Sequence, residues 1–392
     1  VTAAPDERVL EAAPARRPAL PSLTGLRFVA ATLVFFFHAS FWDPPQNPFA
    51  DRGIGDAYQT AFSKAGWMGV SFFFVLSGFI LTWTWRPQPR TAFWRRRAAK
   101  IFPTHIVMWL LAMLLYAAWT TPWPAALLNL FLLHSWSPDH ATYISVNPPS
   151  WSLCSELLFY LLFPFLIPWI QRLREAHLWP MVGALVLGMV IAELVVQVAV
   201  PSLPRTPEGF PISSLQFWLG YNFPPMRLFE FVLGMVVARI VVAGRWPAVR
   251  PAAAVGLLVA AYLIDLRAPF LFSLTAVLIV PLLLVVGSFA AADLSGRTGL
   301  MATPAFQWLG DISFGFYMAQ YVLMYSVRTK VMDARLYSTP VAVLILLGFF
   351  LATVLAGWAL HTLVERPAMR HFGAREAPRL FRRTSQPQKG AL

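Results

Sequence analysis

The chain has 392 residues, 31 of them Lys or Arg and 18 Asp or Glu, so charged side chains make up 12% of it, about half the one in four usual in soluble domains. With 58% hydrophobic residues, 32 Phe and 16 Trp, it has more apolar surface than a core of this size can bury, which excludes a soluble globular enzyme. The net charge of +13 would suggest nucleic-acid binding in a soluble protein; in a membrane protein it has another source. The one cysteine, Cys154, excludes an internal disulfide, and with no second cysteine to pair as a zinc ligand no metal site is expected.

Residues 1–22 are polar and rich in Pro, Ala and Arg, and are expected to form a disordered cytoplasmic tail. A membrane-crossing helix needs roughly 17–25 apolar residues. Runs of that kind fall at 25–42, 66–85, 101–119, 151–170, 179–200, 224–242, 251–266, 270–292, 306–328 and 340–361. The first is too long and too aromatic for a cleaved signal peptide and is expected to be a retained span. The stretch 124–136 is too short to cross and predicts an interfacial or re-entrant helix. The expected fold is therefore all-α, a polytopic membrane domain of about ten transmembrane helices over 23–367, followed by a basic, disordered cytoplasmic tail over 368–392.

Taken segment by segment in that topology, 21 of the Lys and Arg fall on one side, 7 on the other and 3 within spans. Cytoplasmic loops hold the excess, so both termini are predicted to be cytoplasmic and the protein a multi-pass resident of the cell membrane. The charge is then topogenic, and no nucleic-acid partner is expected.

Polar groups in hydrocarbon are costly unless paired, which makes each intramembrane ionisable residue a functional candidate. These are Arg27, His38, Glu156, Glu193, Arg227, Glu230, Arg239 and Asp311. Depth along each helix places His38, Glu156, Glu230 and Arg227 in the outer half, at a height that Tyr317 and Gln320 also reach. A second set, Arg27, Arg97, Lys100, Glu365 and Arg366, lies at the inner face. Arg27 and His38 are eleven residues apart, about three turns, so one helix face links the two layers over about 16 Å. A ligand with an anionic end at the cytoplasm and a reactive end deep in the membrane would satisfy both. Coenzyme A thioesters have that shape. His38 is suited to take the proton of an attacking hydroxyl, with Glu156 or Glu230 holding the imidazole. The bland readings are a snorkelling histidine and a structural Arg227–Glu230 pair.

Other candidates are weaker. Cys154 has apolar neighbours and no histidine in its own helix, which reads as packing. His134 and His140 are spaced as in a solvated outer loop. The cluster RTAFWRRRAAK at 90–100 is a topogenic signal first, and its Arg97 and Lys100 are also placed to hold phosphates.

The strings also resemble a known family, the acyltransferase-3 group of integral-membrane O-acyltransferases. The similar segments are LTGLRFVAATLVFFFHAS with Arg27 and His38, GVSFFFVLSGFIL at 69–81, and PSWSLCSELLFYLLFP at 149–164 with Glu156. They continue with PPMRLFEFVLGMVVA at 224–238, holding Arg227 and Glu230, then WLGDISFGFYMAQ at 308–320 with Tyr317 and Gln320, and VERP at 364–367. The resemblance implies ten helices, a cytoplasmic acyl-CoA donor and a catalytic histidine at His38. Two positions depart from the family pattern. Lys100 stands where an Arg-x-x-Arg motif has its second arginine, which loses the bidentate fork. Gln320 stands where many relatives have histidine, and it cannot act as a base.

The resulting expectation is a membrane enzyme that moves a short acyl group from acyl-CoA, a co-substrate, to a hydroxyl of a sugar-bearing small molecule, with no bound cofactor. Its catalytic residues would be His38 and Glu156. Arg27, Arg97 and Lys100 would hold the donor, and Arg227, Glu230, Tyr317 and Gln320 would support the site, with membrane lipid around it. Compact relatives from antibiotic producers acylate macrolides or other glycosylated natural products. With no SGNH-type domain in these residues, a cell-envelope glycan or a lipid is the alternative acceptor, and a secondary transporter is the alternative of another class.

Overall fold

The structure is a computed structural model that describes residues 17–373 except 208. Helices dominate it. The first four are α1 (Pro21–Ala39), α2 (Arg52–Phe62), α3 (Ala65–Trp83) and α4 (Arg90–Ala112), the last continuing through a π-helical turn to Thr120. They are followed by α5 (Trp123–Leu130), α6 (Trp151–Arg172), α7 (Leu178–Ala199), α8 (Leu228–Val242) and α9 (Pro251–Asp265). The chain closes with α10 (Ala276–Leu294), α11 (Pro304–Lys330), α12 (Thr339–Leu360) and α13 (Arg366–Gly373). Among the described residues the β-structure is limited to isolated bridges, such as Phe49 with Tyr337.

All ten predicted apolar runs are helical. Among the described residues seven helical segments are long and apolar enough to cross a membrane: α1, α2 with α3, α4, α6, α7, α10, and α12 with α13. The rest depart for identifiable reasons. α8 and α9 have 15 residues each, and α11, although 27 residues long, carries Gln307, Asp311, Gln320, Arg328 and Lys330. The segment read as interfacial is α5, a helix of 8 residues.

The tail boundaries move. α1 starts at Pro21, where a proline suits the first helical position. Ser22 is fixed there by the Asp293 carboxylate, which accepts from its backbone N–H (2.9 Å) and its hydroxyl (2.6 Å). Arg17 stacks on Trp83 and donates to its carbonyl. Residues 366–373, assigned mostly to the C-terminal tail, form α13 against α4. The rest of both predicted tails, 1–16 and 374–392, lies outside the described residues. Because Arg17 meets the end of α3 and Glu365 meets α4, the two ends of the described chain share one end of the bundle. We call this the terminal end and the opposite one, reached by His38, the distal end.

The central helices cross at glycines, which suits a medium in which close packing rather than water exclusion drives association. A Cβ on Gly78 of α3 would run into the carbonyl of Phe231 on α8, and one on Gly234 of α8 into the carbonyl of Val75 on α3. α1 and α11 approach in the same way, Gly310 sitting against the Thr24 carbonyl. Gly234→Leu should therefore destabilise the bundle by at least the ~1–3 kcal/mol of an overpacked core, seen as a lower melting temperature in detergent. The same change at Gly256, where a Cβ would meet nothing within 4 Å, should leave it unmoved.

Candidate active site

Four helices carry ladders of side chains toward the middle of the bundle. On α6 these are Ser152, Glu156 and Tyr160, four residues apart and therefore on one face. α1 contributes Arg27 and His38, α3 contributes Val70, Phe73 and Ser77, and α11 contributes Tyr317 and Tyr321. Between them lie three cavities that share walls.

The first, at the terminal end, is lined by Arg27, Ser77, Arg97, Lys100, Glu156 and Tyr160. Arg27, Phe73, Lys100, Glu156 and Tyr160 also bound the second, which Ser152, Val70 and Tyr317 close off above. Val70 and Tyr317 bound the third as well, where His38 is found among Phe37, Trp67, Trp151, Tyr221 and Tyr321. The three lie in series, sharing wall residues, from a basic mouth to a buried imidazole. Its middle section measures about 80 Å³. Since one water takes ~10–15 Å³ on that measure, a narrow chain of atoms fits and a nucleotide does not.

At the mouth, the Lys100 ammonium is ion-paired with Glu365, whose carboxylate also lies 3.4 Å from His361 Nδ1. Arg97 runs along the rings of Phe93 and Tyr160. Three cations around one small cavity, with Glu156 the acidic side chain in its wall, leave the mouth net positive. At the narrow point, the Tyr317 hydroxyl donates to the Pro149 carbonyl (2.9 Å) and lies 2.9 Å from Ser152 Oγ.

His38 is the penultimate residue of α1 and 8% exposed. Its ring makes edge contacts with Phe41 and Tyr321. Gln320, next to Tyr321 on α11, donates from Nε2 to the Tyr317 carbonyl at 3.2 Å. His38 Nδ1 and Gln320 Oε1 have no hydrogen-bond partner.

The carboxylates depart from the expected arrangement. Neither Glu156 nor Glu230 forms an ion pair with His38. Glu156 accepts from the Tyr160 hydroxyl at 3.2 Å and faces the mouth and the middle cavity. The reason is helical rise: it lies four residues, about 6 Å, further along α6 than Ser152, which already borders the middle cavity. Glu230 is fully buried 3.5 Å from Arg227, itself 1% exposed. Arg227 donates to the Gly220 carbonyl (3.0 Å) and lies over the Tyr221 ring, so this pair stands behind a wall of the distal cavity.

His134 is also not where the spacing suggested. It is fully buried rather than solvated, with Nδ1 3.4 Å from Cys154 Sγ and Nε2 3.4 Å from Ser150 Oγ. Cys154 is buried and borders none of the three cavities. Ser152, Tyr160, Trp151 and Tyr321 were not foreseen. For Ser152 and Tyr160 a signal existed, since both are one turn from Glu156.

A family model described as an acyltransferase domain, of the acyltransferase-3 type, matches residues 20–362. The chain belongs to this acyltransferase family. The enzyme is 36% identical to the acyltransferase MdmB of Streptomyces mycarofaciens over 394 residues, covering 94% of this chain and all of that one. It is 26% identical to the peptidoglycan O-acetyltransferase OatA of Listeria monocytogenes over 184 residues, covering 41% of this chain and 26% of the relative. No solved structure matches it. It is thus a membrane O-acyltransferase, and the ladders on α1, α3, α6 and α11 all fall inside the matched region.

The Lys100–Glu365 pair joins α4 to the turn between α12 and α13, so removing one partner strands a charge. With the Lys100 side chain 27% exposed, Lys100→Met should lower stability by about 1–3 kcal/mol, less than the ~3–5 of a fully buried pair, whereas the double change Lys100→Met with Glu365→Leu should recover part of it. Thermal unfolding in detergent reads the difference.

Proposed function

We propose that the enzyme transfers a short acyl group from acyl-CoA to a hydroxyl of a sugar-bearing acceptor, a macrolide or similar glycosylated natural product, with His38 as general base. The observation that carries this reading is the path itself. A cationic mouth, a passage too narrow for a nucleotide and an imidazole at the far end match a nucleotide phosphate head, a pantetheine arm and a thioester.

In this reading both termini are cytoplasmic and the terminal end faces the cytoplasm, in keeping with the basic excess there. Arg27, Arg97 and Lys100 hold the CoA phosphates by charge-assisted hydrogen bonds. The arm passes Glu156 and Tyr317. The acceptor enters the distal cavity, where the imidazole removes the proton from its hydroxyl as the oxygen attacks the thioester carbon. The carbon–sulfur bond then breaks, and the imidazolium returns the proton to the departing thiolate, giving the ester and free CoA. Gln320 orients the ring without supplying a counter-charge, and Arg227 with Glu230 supports the Tyr221 wall. Glu156 acts on the donor side of the path, away from the imidazole.

His38→Ala should lower transfer by at least about 10²–10⁴-fold, the usual worth of a positioned base, in protein that still elutes as a folded species. Retained activity would contradict the mechanism. Arg97→Ala should raise the KM for acyl-CoA about tenfold, roughly 1.4 kcal/mol, and spare the KM of the acceptor. Mass spectrometry of the acylated product and free-thiol release follow both.

A further inference from the structure

One polar group in the distal cavity is not used by that mechanism. Asn222 lines the cavity beside His38 and is 1% exposed, yet its Nδ2 has no hydrogen-bond partner. Burying an amide donor unpaired is expensive, and a ligand entering the cavity would supply what the protein does not.

The backbone holds this amide firmly. Asn222 ends a π-helical turn, Trp218–Asn222, a departure from α-helix that recurs at functional sites. The turn follows a helical start closed by a reciprocal Ser213–Gln216 capping box. It is tied by Phe223 N–H to the Trp218 carbonyl (2.8 Å) and by the buried Arg227 to the Gly220 carbonyl (3.0 Å). The side chain is therefore presented on a fixed support, as a recognition group needs.

The walls around it are flat and aromatic. Trp151 and Tyr221 meet with ring centroids 4.6 Å apart, and Trp67 lies 6.2 Å from Tyr221. A sugar ring offers apolar C–H faces and hydroxyl edges, so aromatic faces with one amide at their edge complement it. Asn222 borders neither the middle cavity nor the mouth, which places it with the acceptor rather than along the donor arm.

We propose that Asn222 is an acceptor-binding residue, whose amide hydrogen-bonds an oxygen of the acceptor's sugar ring while Trp67, Trp151 and Tyr221 pack on its faces. This rests on the acyl-transfer reading above and adds the recognition group. The test uses the full-length enzyme, acyl-CoA, and as acceptors a glycosylated macrolide, methyl hexosides, and analogues of each lacking one sugar hydroxyl. Asn222→Ala should raise the acceptor KM about tenfold. It should leave hydrolysis of acyl-CoA by water unchanged and treat one deoxy analogue as the unaltered enzyme does. An equal loss of kcat with every acceptor, water included, would overturn the proposal by placing the amide on the thioester. Should Asn222→Ala misfold, the near-isosteric Asn222→Leu and the deoxy series on unaltered enzyme decide instead; an enzyme indifferent to every sugar hydroxyl overturns the proposal. Failure of acyl transfer to every acceptor would defeat the underlying reading. Transfer that is insensitive to Asn222 would defeat this inference alone.

Discussion

A polar side chain inside a membrane must be paired or must border a cavity, because hydrocarbon provides no partner. The arrangement of the whole bundle follows from how α1 meets that constraint. Its one face carries a guanidinium near the terminal end and an imidazole near the distal end, and neither is neutralised by a neighbouring ion pair within its own helix. Each therefore opens on space, and the helices around α1 line the space between. Glycine crossings between α3 and α8, and between α1 and α11, bring backbones close enough that the path stays narrow.

The polar groups beside this path divide into two kinds. Those that stabilise are closed on one another: Arg227 with Glu230, Ser22 with Asp293, and the Tyr317 hydroxyl with Pro149 and Ser152. Others are not: His38 Nδ1 and Asn222 Nδ2 are unpaired, and both residues border the distal cavity.

Much of this was legible in the sequence, for physical reasons. Apolar runs long enough to cross a membrane have few other uses, so the all-α polytopic fold was readable; of the ten spans expected, seven helical segments among the described residues are long and apolar enough to cross. The eleven-residue interval from Arg27 to His38 has one meaning on a helix. Side-chain reach was harder to read. Glu156 was placed at the level of the imidazole from its distance to the helix end, but one turn of rise moves it toward the terminal end beside Tyr160. His134 was read as solvated because loop composition says nothing of how a short segment folds back onto α6. Asn222 left no periodic trace, since it ends a π-helical turn in an irregular connection. The sequence also overstated the reach of the tails, where a proline-initiated turn and α13 extend the ordered bundle.

The most direct test of the proposed path through the three cavities is an experimental structure with a non-hydrolysable acyl-CoA thioether bound. The geometry predicts the nucleotide phosphates at Arg27, Arg97 and Lys100, the arm passing between Val70 and Tyr317, and the sulfur in the distal cavity beside His38. A bound analogue whose sulfur stays on the terminal side of Tyr317, or whose phosphates lie away from those three cations, would contradict it.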